Sequence, residues 1–255
     1  MASDNNRNRR VKTADTVFGI VESIQALDGA GVTELSEELG LAKSTIHDHL
    51  STMVEKEYLV KNDQTYQLGL KFLNHGIHAR DSLDLLPTVQ PNLKQMANET
   101  GEIAWFLVEE YGRGVYLSKA KGDRAVQPYG KIGNRVDLHS IAAGKAILAH
   151  LPEDEVRTII EKHGLESQTS ETITDTDQLF EELESIRQSG VAFNDGESLA
   201  GHRAVASPIC PNDRLIGAIV VSGPKNRIQG DMFTEKIPEI VSGTANAIEL
   251  ELTAR

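Results

Sequence analysis

The chain is 255 residues long and 39% hydrophobic, with a single cysteine and a formal net charge of −12. That length allows two domains or one large one, and the apolar share is that of a folded globular chain, not a disordered one. No run approaches the ~18 apolar residues of a membrane span, the start "MASDNNRNRRVK" has no apolar core behind its charges, and Cys210 has no partner for a disulfide, so a cytoplasmic protein without membrane contact is expected.

Residues 13–27, "TADTVFGIVESIQAL", place Val17, Ile20, Val21, Ile24 and Leu27 at helical spacing, with Thr13 or Asp15 able to cap. "DGAG" breaks the run. A second, short helix is predicted from Thr33 as N-cap, through Leu35 and Leu39, to Gly40. The third is predicted from about Lys43 to Glu57, with Ile46, Leu50, Met53 and Val54 as its apolar stripe. "YLVKNDQTYQL" alternates on both sides of Asn62-Asp63 and reads as a β-hairpin. Three helices and a hairpin within ~60 residues is the winged helix-turn-helix order.

"GLKFLNHGIHARDSLDLL" (69–86) reads as a connecting helix, punctuated by Pro87 and Pro91 before helix resumes through Leu93 and Met96 to Gly101. "IAWFLVEE" and "GVYLSKAK" are predicted strands around the hairpin signal "YGRG". "SIAAGKAILAHL" is a small-residue helix, Pro152 opens another, and "DTDQLFEELESIRQSG" is a strongly polar one. Two strands, "RAVASPIC" and "LIGAIVVSG", precede a closing amphipathic helix over 234–252. Strands embedded among helices predict an α+β sensor domain with an antiparallel sheet covered by helices.

With Ile46, Leu50 and Met53 inward, the third helix turns Ser44, Thr45, His47, Asp48 and Ser51 outward. A phosphate can dock at its first-turn N–H groups, helped by the hydroxyl of Ser44 or Thr45 and the ammonium of Lys43. Thr45 can touch a thymine methyl, and His47 can donate to a guanine N7 or O6. Asp48 is repelled in a phosphate-lined groove unless it accepts from a cytosine amino group, so it either reads sequence or is tolerated by a shallow seat. Lys61 of the hairpin completes the candidate contacts to double-stranded DNA. Arg9 and Arg10, with Arg7, form either a minor-groove arm or a solvated tail. His49, at the edge of the stripe, reads as partly buried.

Charge placement bears on this reading. Residues 1–75 carry 8 Lys/Arg and 11 Asp/Glu, and residues 76–255 carry 18 and 27. Most of the acidic excess therefore lies away from the candidate reading helix, and its spread over both halves suggests a halophile's proteome. At ~1 M salt the Debye length is ~3 Å, so distant carboxylates barely repel DNA. Counterion release weakens too, leaving base and apolar contacts to carry more of the affinity.

Catalysis finds little support. "HSIAAGKA" lacks the Gly and the Ser/Thr of a phosphate loop, and there is no G-x-S-x-G elbow. Cys210 precedes Pro211 in an apolar strand and reads as structural, and Glu153–Glu155 and Glu181–Glu182 read as solvated helix faces. His75 and His78 have no third ligand nearby, so neither a metal nor a cofactor is expected.

From Lys12 to the last helix the chain resembles the IclR family of transcription regulators. "LGLAKSTIHDHL" resembles its recognition helix, "YQLGLKFLNHG" its link from wing to connecting helix, and "LHSIAAGKAILAHL" the entry helix of its effector domain. "GVAFNDGESLAGHRAVASPI" and "IVVSGPKNRI" resemble the strands that close that domain. The resemblance implies a basic arm over 1–12, a winged helix-turn-helix domain over 13–68, a linker helix over 69–86 and a GAF-like effector domain over 87–255. It implies a homodimer or dimer of dimers that binds promoter DNA and a small metabolite, commonly an organic acid, a sugar or an aromatic of a catabolic route.

The resemblance also places a pocket, with effector carboxylates against the backbone of Ala142, Ala143 and Gly144 and polar positions at Asn194, Glu197 and Ser222. Asn194 stands where an acid is frequent, Ala204 where a cysteine is frequent and Val220 where some members carry Ser, which implies a less polar or differently shaped pocket. Arg203 matches a recurrent arginine, expected to pair with a partner such as Glu197, and His139 is expected to line the mouth or cap the helix. Two alternatives stay open: a metabolite sensor acting through a protein partner, because the head is net acidic, and a ligand-independent architectural protein.

Overall fold

The computed structural model describes residues 11–126 and 130–254, so Arg7, Arg9 and Arg10 of the expected arm lie outside the described residues. The chain divides into two compact units, Met1–Ser82 and Leu83–Arg255, and each combines helices with antiparallel strands, the α+β class expected.

The first unit contains α1 (Lys12–Ala26), α2 (Val32–Leu39), α3 (Lys43–Glu55), the hairpin β1 (Leu59–Asn62) and β2 (Thr65–Leu68), and α4 (Lys71–Asp81). Its core joins Ile20 and Ile24 of α1, Leu35 of α2, Ile46, Leu50 and Met53 of α3, and Leu59 and Tyr66 of the hairpin. Truncating a side chain such as Leu50 to alanine costs about 2–5 kcal/mol in a core of this kind. Neither Thr13 nor Asp15 caps α1, which begins earlier, after Val11. α2 also begins early: Gly31 N–H donates to the Glu34 carboxylate at 2.8 Å, and the Thr33 hydroxyl instead accepts from Lys43 Nζ at 3.0 Å. Gly40, at φ 64°, closes α2 in the left-handed conformation that glycine adopts without strain. The hairpin turn falls one residue later than expected: Asn62 still pairs with Thr65, and Asp63 takes the positive φ that Asp tolerates.

The expected helix over 69–86 is shorter. α4 ends at Asp81, Asp84 has a positive φ, and α5 (Leu86–Thr100) begins afresh with Pro87 in its first turn, where a missing N–H costs nothing. Pro91 lies inside α5 instead of interrupting it.

The second unit continues with β3 (Ile103–Glu110), β4 (Arg113–Lys121), β5 (Arg135–Asp137), α6 (Ala142–Leu148), α7 (Glu153–His163) and α8 (Thr176–Ser189). It closes with β6 (Ala192–Asp195), β7 (His202–Ile209), β8 (Gly217–Pro224) and α9 (Ile237–Thr253). The strands form one antiparallel sheet in the order β5-β4-β3-β8-β7-β6. Side chains alternate between its faces. Ala104 and Phe106 of β3 join a core with Leu93 and Met96 of α5 and Ile237 and Val241 of α9. Ile103, Trp105 and Leu107 face the other way, toward Ala146 and Ile147 of α6 and Leu179 and Leu183 of α8. Covering both faces explains why "IAWFLV" is apolar throughout. α6 is shorter than the helix expected over 140–151, because a 3-10 turn, Leu138–Ser140, precedes it.

Candidate DNA-reading face and effector cavity

α3 is amphipathic in the sense that reading DNA requires. Ile46, Leu50 and Met53 are buried, while Lys43, Ser44, Thr45, His47, Asp48 and Ser51 are exposed; His49, between the faces, is half-buried. No side chain among the described residues caps the first turn after Ala42, so its N–H donors stay available to a phosphate. The Lys43 ammonium is braced by Thr33, which ties the start of α3 to α2. His47 Nδ1 lies 3.8 Å from the Asp48 carboxylate, and both side chains are largely in solvent. Lys61 is exposed on the wing strand β1, its ammonium 5.4 Å from the centre of the Tyr66 ring.

The end of α3 is tied to α4. The Tyr58 hydroxyl is hydrogen-bonded to His75 Nε2 at 2.9 Å, and its ring meets Phe72 edge-on at 5.0 Å. Lys71 Nζ lies over the same ring and donates to the Lys56 carbonyl at 3.0 Å. Gly69 N–H donates to Tyr58 O at 2.7 Å, and a Cβ at Gly69 would come within 2.7 Å of the Glu57 carbonyl oxygen, so only glycine fits. His75 and His78 are both exposed, and no metal-holding cluster of three His, Cys, Asp or Glu occurs among the described residues.

In the second unit, the sheet face toward α6 forms the floor of a partly open cavity of about 100 Å³. Register explains where it lies. Asn194, Ala204, Ser222 and Ile103 stand opposite one another on β6, β7, β8 and β3, and Val220 stands opposite Trp105 in the next row on that face. Small residues such as Ala204 leave the sheet floor low. The start of α6 (Ala142, Ala143), with Ile141, Ser198 and Leu199, completes the wall.

Of the residues implied for the pocket, Ala142, Ala143, Asn194, Ala204, Val220 and Ser222 line this cavity, whereas Gly144 and Glu197 do not. Gly144 is packed on the preceding turn: a Cβ there would lie 2.1 Å from Leu138 O. Glu197 turns to Lys145, whose buried ammonium donates to Glu197 Oε1 at 2.7 Å and Glu182 Oε1 at 2.9 Å. Burial raises the Glu197 carboxyl above its ordinary pKa despite that lysine. Arg203 forms a two-pronged pair with Asp195, at 2.9 and 2.7 Å, and not with Glu197. That pair, with Lys225, holds the Asp195 carboxyl at about 2. His139 neither caps α6 nor lines the cavity; it is buried, with Nε2 3.0 Å from the Glu166 carbonyl. Asn194 is held on both sides, donating to Ser140 O at 2.7 Å and accepting from Glu197 N–H at 3.2 Å.

The wall also has members that sequence reasoning missed: Trp105, Tyr116, Glu102 and His202. Trp105 and Tyr116 form a tilted ring pair 4.7 Å apart, and burial raises the Tyr116 phenol above its ordinary pKa. Glu102 is buried and accepts from Arg227 Nε at 2.7 Å and Nη2 at 2.6 Å. Burial, then the nearby Arg227, lowers the His202 imidazole. The two fully charged side chains of the described wall, Glu102 and Arg203, are thus each paired, and the surface left for a ligand is mainly aromatic, aliphatic and hydroxyl. Cys210 lies outside this wall; burial first, then Glu249 and Asp213, push its thiol up to about 11, as suits an inert thiol.

Family models match both parts of the chain. The model of the IclR helix-turn-helix domain matches residues 13–63, and that of the bacterial transcriptional regulator IclR C-terminal domain matches residues 77–250. The chain is 33% identical to a probable HTH-type transcriptional regulator, ArcR, of Halobacterium salinarum, over 98% of this chain and 97% of the relative. It is 29% identical to the HTH-type transcriptional regulator KdgR of Escherichia coli, over 87% of this chain and 85% of that one. Among solved structures, the IclR of Thermotoga maritima superposes with a TM-score of 0.75 at 26% identity, covering 95% of this chain and 97% of the other. An IclR homolog from Microbacterium hydrocarbonoxydans, complexed with 4-hydroxybenzoate, shares the fold with a TM-score of 0.82 at 22% identity, covering 95% and 100%. ArcR and KdgR are both named as HTH-type transcriptional regulators. With a solvent-facing α3 in one unit and a walled cavity in the other, the chain belongs to the IclR family of DNA-binding transcriptional regulators with an effector-binding C-terminal domain.

Proposed function

We propose that this regulator binds operator DNA through α3 and the wing, and that a small metabolite in the cavity beside Trp105 controls that affinity. The observation that carries the reading is the pairing, in one chain, of an exposed polar face on α3 with a partly open, mostly apolar cavity in the sensor unit. Ser44, Thr45 and Lys43 are placed to hold phosphate, His47, Asp48 and Ser51 to face base edges, and Lys61 to touch the backbone from the wing. Arg9 and Arg10 are proposed as an arm on the same duplex.

The metabolite is a compact organic acid of a catabolic route. A 150 Å³ apolar cavity accepts benzene, so about 100 Å³ suits a smaller molecule unless the wall yields. A ring such as the 4-hydroxybenzoate bound by the Microbacterium homolog requires that expansion. Because Glu102 and Arg203 are already paired, a molecule with more than one negative charge finds no spare side-chain cation in the described wall. Ala142, Ala143, Tyr116 and Ser222 all line the cavity, which supports a single carboxylate met by hydroxyls and backbone N–H groups.

The working unit is a homodimer. Leu70, just before α4, and Leu73 and Ile77 on it form an exposed apolar stripe, and Phe18 is exposed on α1. A second copy covering these side chains would present two reading heads to half-sites about 34 Å, or a multiple, apart. Because α4 is tied to the end of α3, a change of pose in α4 reaches the reading helix directly.

The test is fluorescence anisotropy of a labelled fragment of the gene's own promoter against a scrambled fragment, with a metabolite panel. Trp105 is the chain's one tryptophan, so its intrinsic emission reports occupancy independently. Selective binding, altered by a compound that also changes Trp105 emission, supports the reading. Equal, weak binding to both fragments contradicts it.

A further inference from the structure

The residue at the centre of the reading face is an acid. Ser44, Asp48, Ser51 and Glu55 fall at i, i+4, i+7 and i+11, one stripe of α3 opposite Ile46, Leu50 and Met53. The Asp48 side chain is 85% exposed, and the imidazole Nδ1 of His47, 3.8 Å away, lies beyond hydrogen-bond range. Asp48 stands too far along α3 to cap the first turn, and it buries nothing in the core. Folding gives no reason for a carboxylate here, and general phosphate attraction gives a reason against one.

We infer that Asp48 is the operator's specificity determinant, accepting a hydrogen bond from a cytosine amino group in the major groove; this rests on the DNA-binding reading above. A carboxylate has no donor of its own and is repelled by the phosphates that flank the groove. The partners that remain are the exocyclic amino groups of cytosine and adenine. Adenine places its N7 acceptor beside the amino group on the same edge, where a second carboxylate oxygen meets repulsion, whereas cytosine N4 offers its donor without that neighbour. Reach is met as well. Aspartate is short, so the helix must sit close to the base edges, and Ser44 and Ser51, one turn before and after, are small enough to allow it. An uncompensated carboxylate elsewhere in the groove raises the energy of every other register, so Asp48 rejects wrong sequences as much as it favours the right one.

Selection of binding sites from a randomised duplex pool tests this with the full-length wild type, Asp48→Ala and Asp48→Asn. The wild type is expected to enrich cytosine at one fixed position of each half-site, with discrimination of roughly 5- to 10-fold, the low end of the bidentate range because one hydrogen bond is made. Asp48→Ala is expected to lose preference at that position alone, and Asp48→Asn to shift it toward adenine, whose N6 and N7 an amide matches. If the wild type enriches a site and Asp48→Ala enriches the same site with the same cytosine, the inference is overturned while DNA binding stands. If the wild type enriches nothing, the DNA-binding reading fails first and this one with it.

Discussion

Consider replacing Ala204 by leucine. Ala204 stands on β7 between Asn194 and Ser222, in the middle of the cavity floor. Leucine adds three carbons to alanine, and burying each contributes about 0.8 kcal/mol, or about 2.4 kcal/mol if all three are covered. The cavity is partly open and its flanking Asn194 and Ser222 are polar, which leaves an expected gain of about 1–2 kcal/mol. In a domain of this size, that raises the melting temperature by about 2–8 °C. The side chain also occupies the proposed ligand space. Ala204→Leu is therefore expected to melt higher by calorimetry, to keep wild-type affinity for promoter DNA, and to lose both the metabolite-induced change in Trp105 emission and the change in DNA affinity. A variant that melts lower by the 1–3 kcal/mol typical of overpacking, yet still responds to metabolite, would refute the assignment of the cavity as the effector site.

Other outcomes follow from the same geometry. Thr45→Ala and His47→Ala are each expected to weaken promoter binding about tenfold, the effect of one lost base contact, with an unchanged circular dichroism spectrum because both side chains are exposed. Ser222→Ala is expected to spare DNA binding and blunt the metabolite response, since Ser222 lies in the cavity wall; exchanged phenotypes between it and His47→Ala would contradict the division of labour. Tyr58→Phe removes the hydrogen bond to His75 while keeping the ring packing, so promoter affinity without metabolite is expected to hold and the ratio with and without metabolite to shrink toward one in the same anisotropy titration. The Asp195 carboxyl is held at about 2, below its usual 3.8, so the stability it contributes is present above about pH 4 and is lost as pH falls toward 2. Urea midpoints of Asp195→Asn are accordingly expected below those of the wild type at neutral pH, with the gap closing between about pH 4 and 2.

Helical periodicity made the head legible: Ile46, Leu50 and Met53 named both the buried stripe of α3 and, by exclusion, its exposed face. Helix ends were less legible, because the cap at Gly31 depends on a side chain three residues onward and not on the residue at the start. The three-residue β5 and the break between α4 and α5 left too short a pattern to read. In the sensor unit, the family resemblance pointed to Asn194, Ala204 and Ser222, and strand register explains why these three meet in one row. It did not point to Trp105 or Tyr116. β3 is apolar on both faces, so alternation could not say which of Trp105 and Phe106 turns toward the cavity. The partner of Arg203 was misassigned for a related reason. Asp195 and Arg203 are directly opposed on β6 and β7, a fact of register, while Glu197, two residues on, turns away to neutralise buried Lys145.

The most direct measurement is a pair of linked titrations of the full-length protein in molar KCl, using the compound that most raises its melting temperature. Metabolite affinity is followed by Trp105 emission with and without promoter fragment, and promoter affinity by anisotropy with and without metabolite. Both affinities are expected to change by the same factor, as linkage between two sites of one protein requires. Metabolite affinity that is indifferent to saturating promoter DNA, alongside tight binding of each alone, would contradict it.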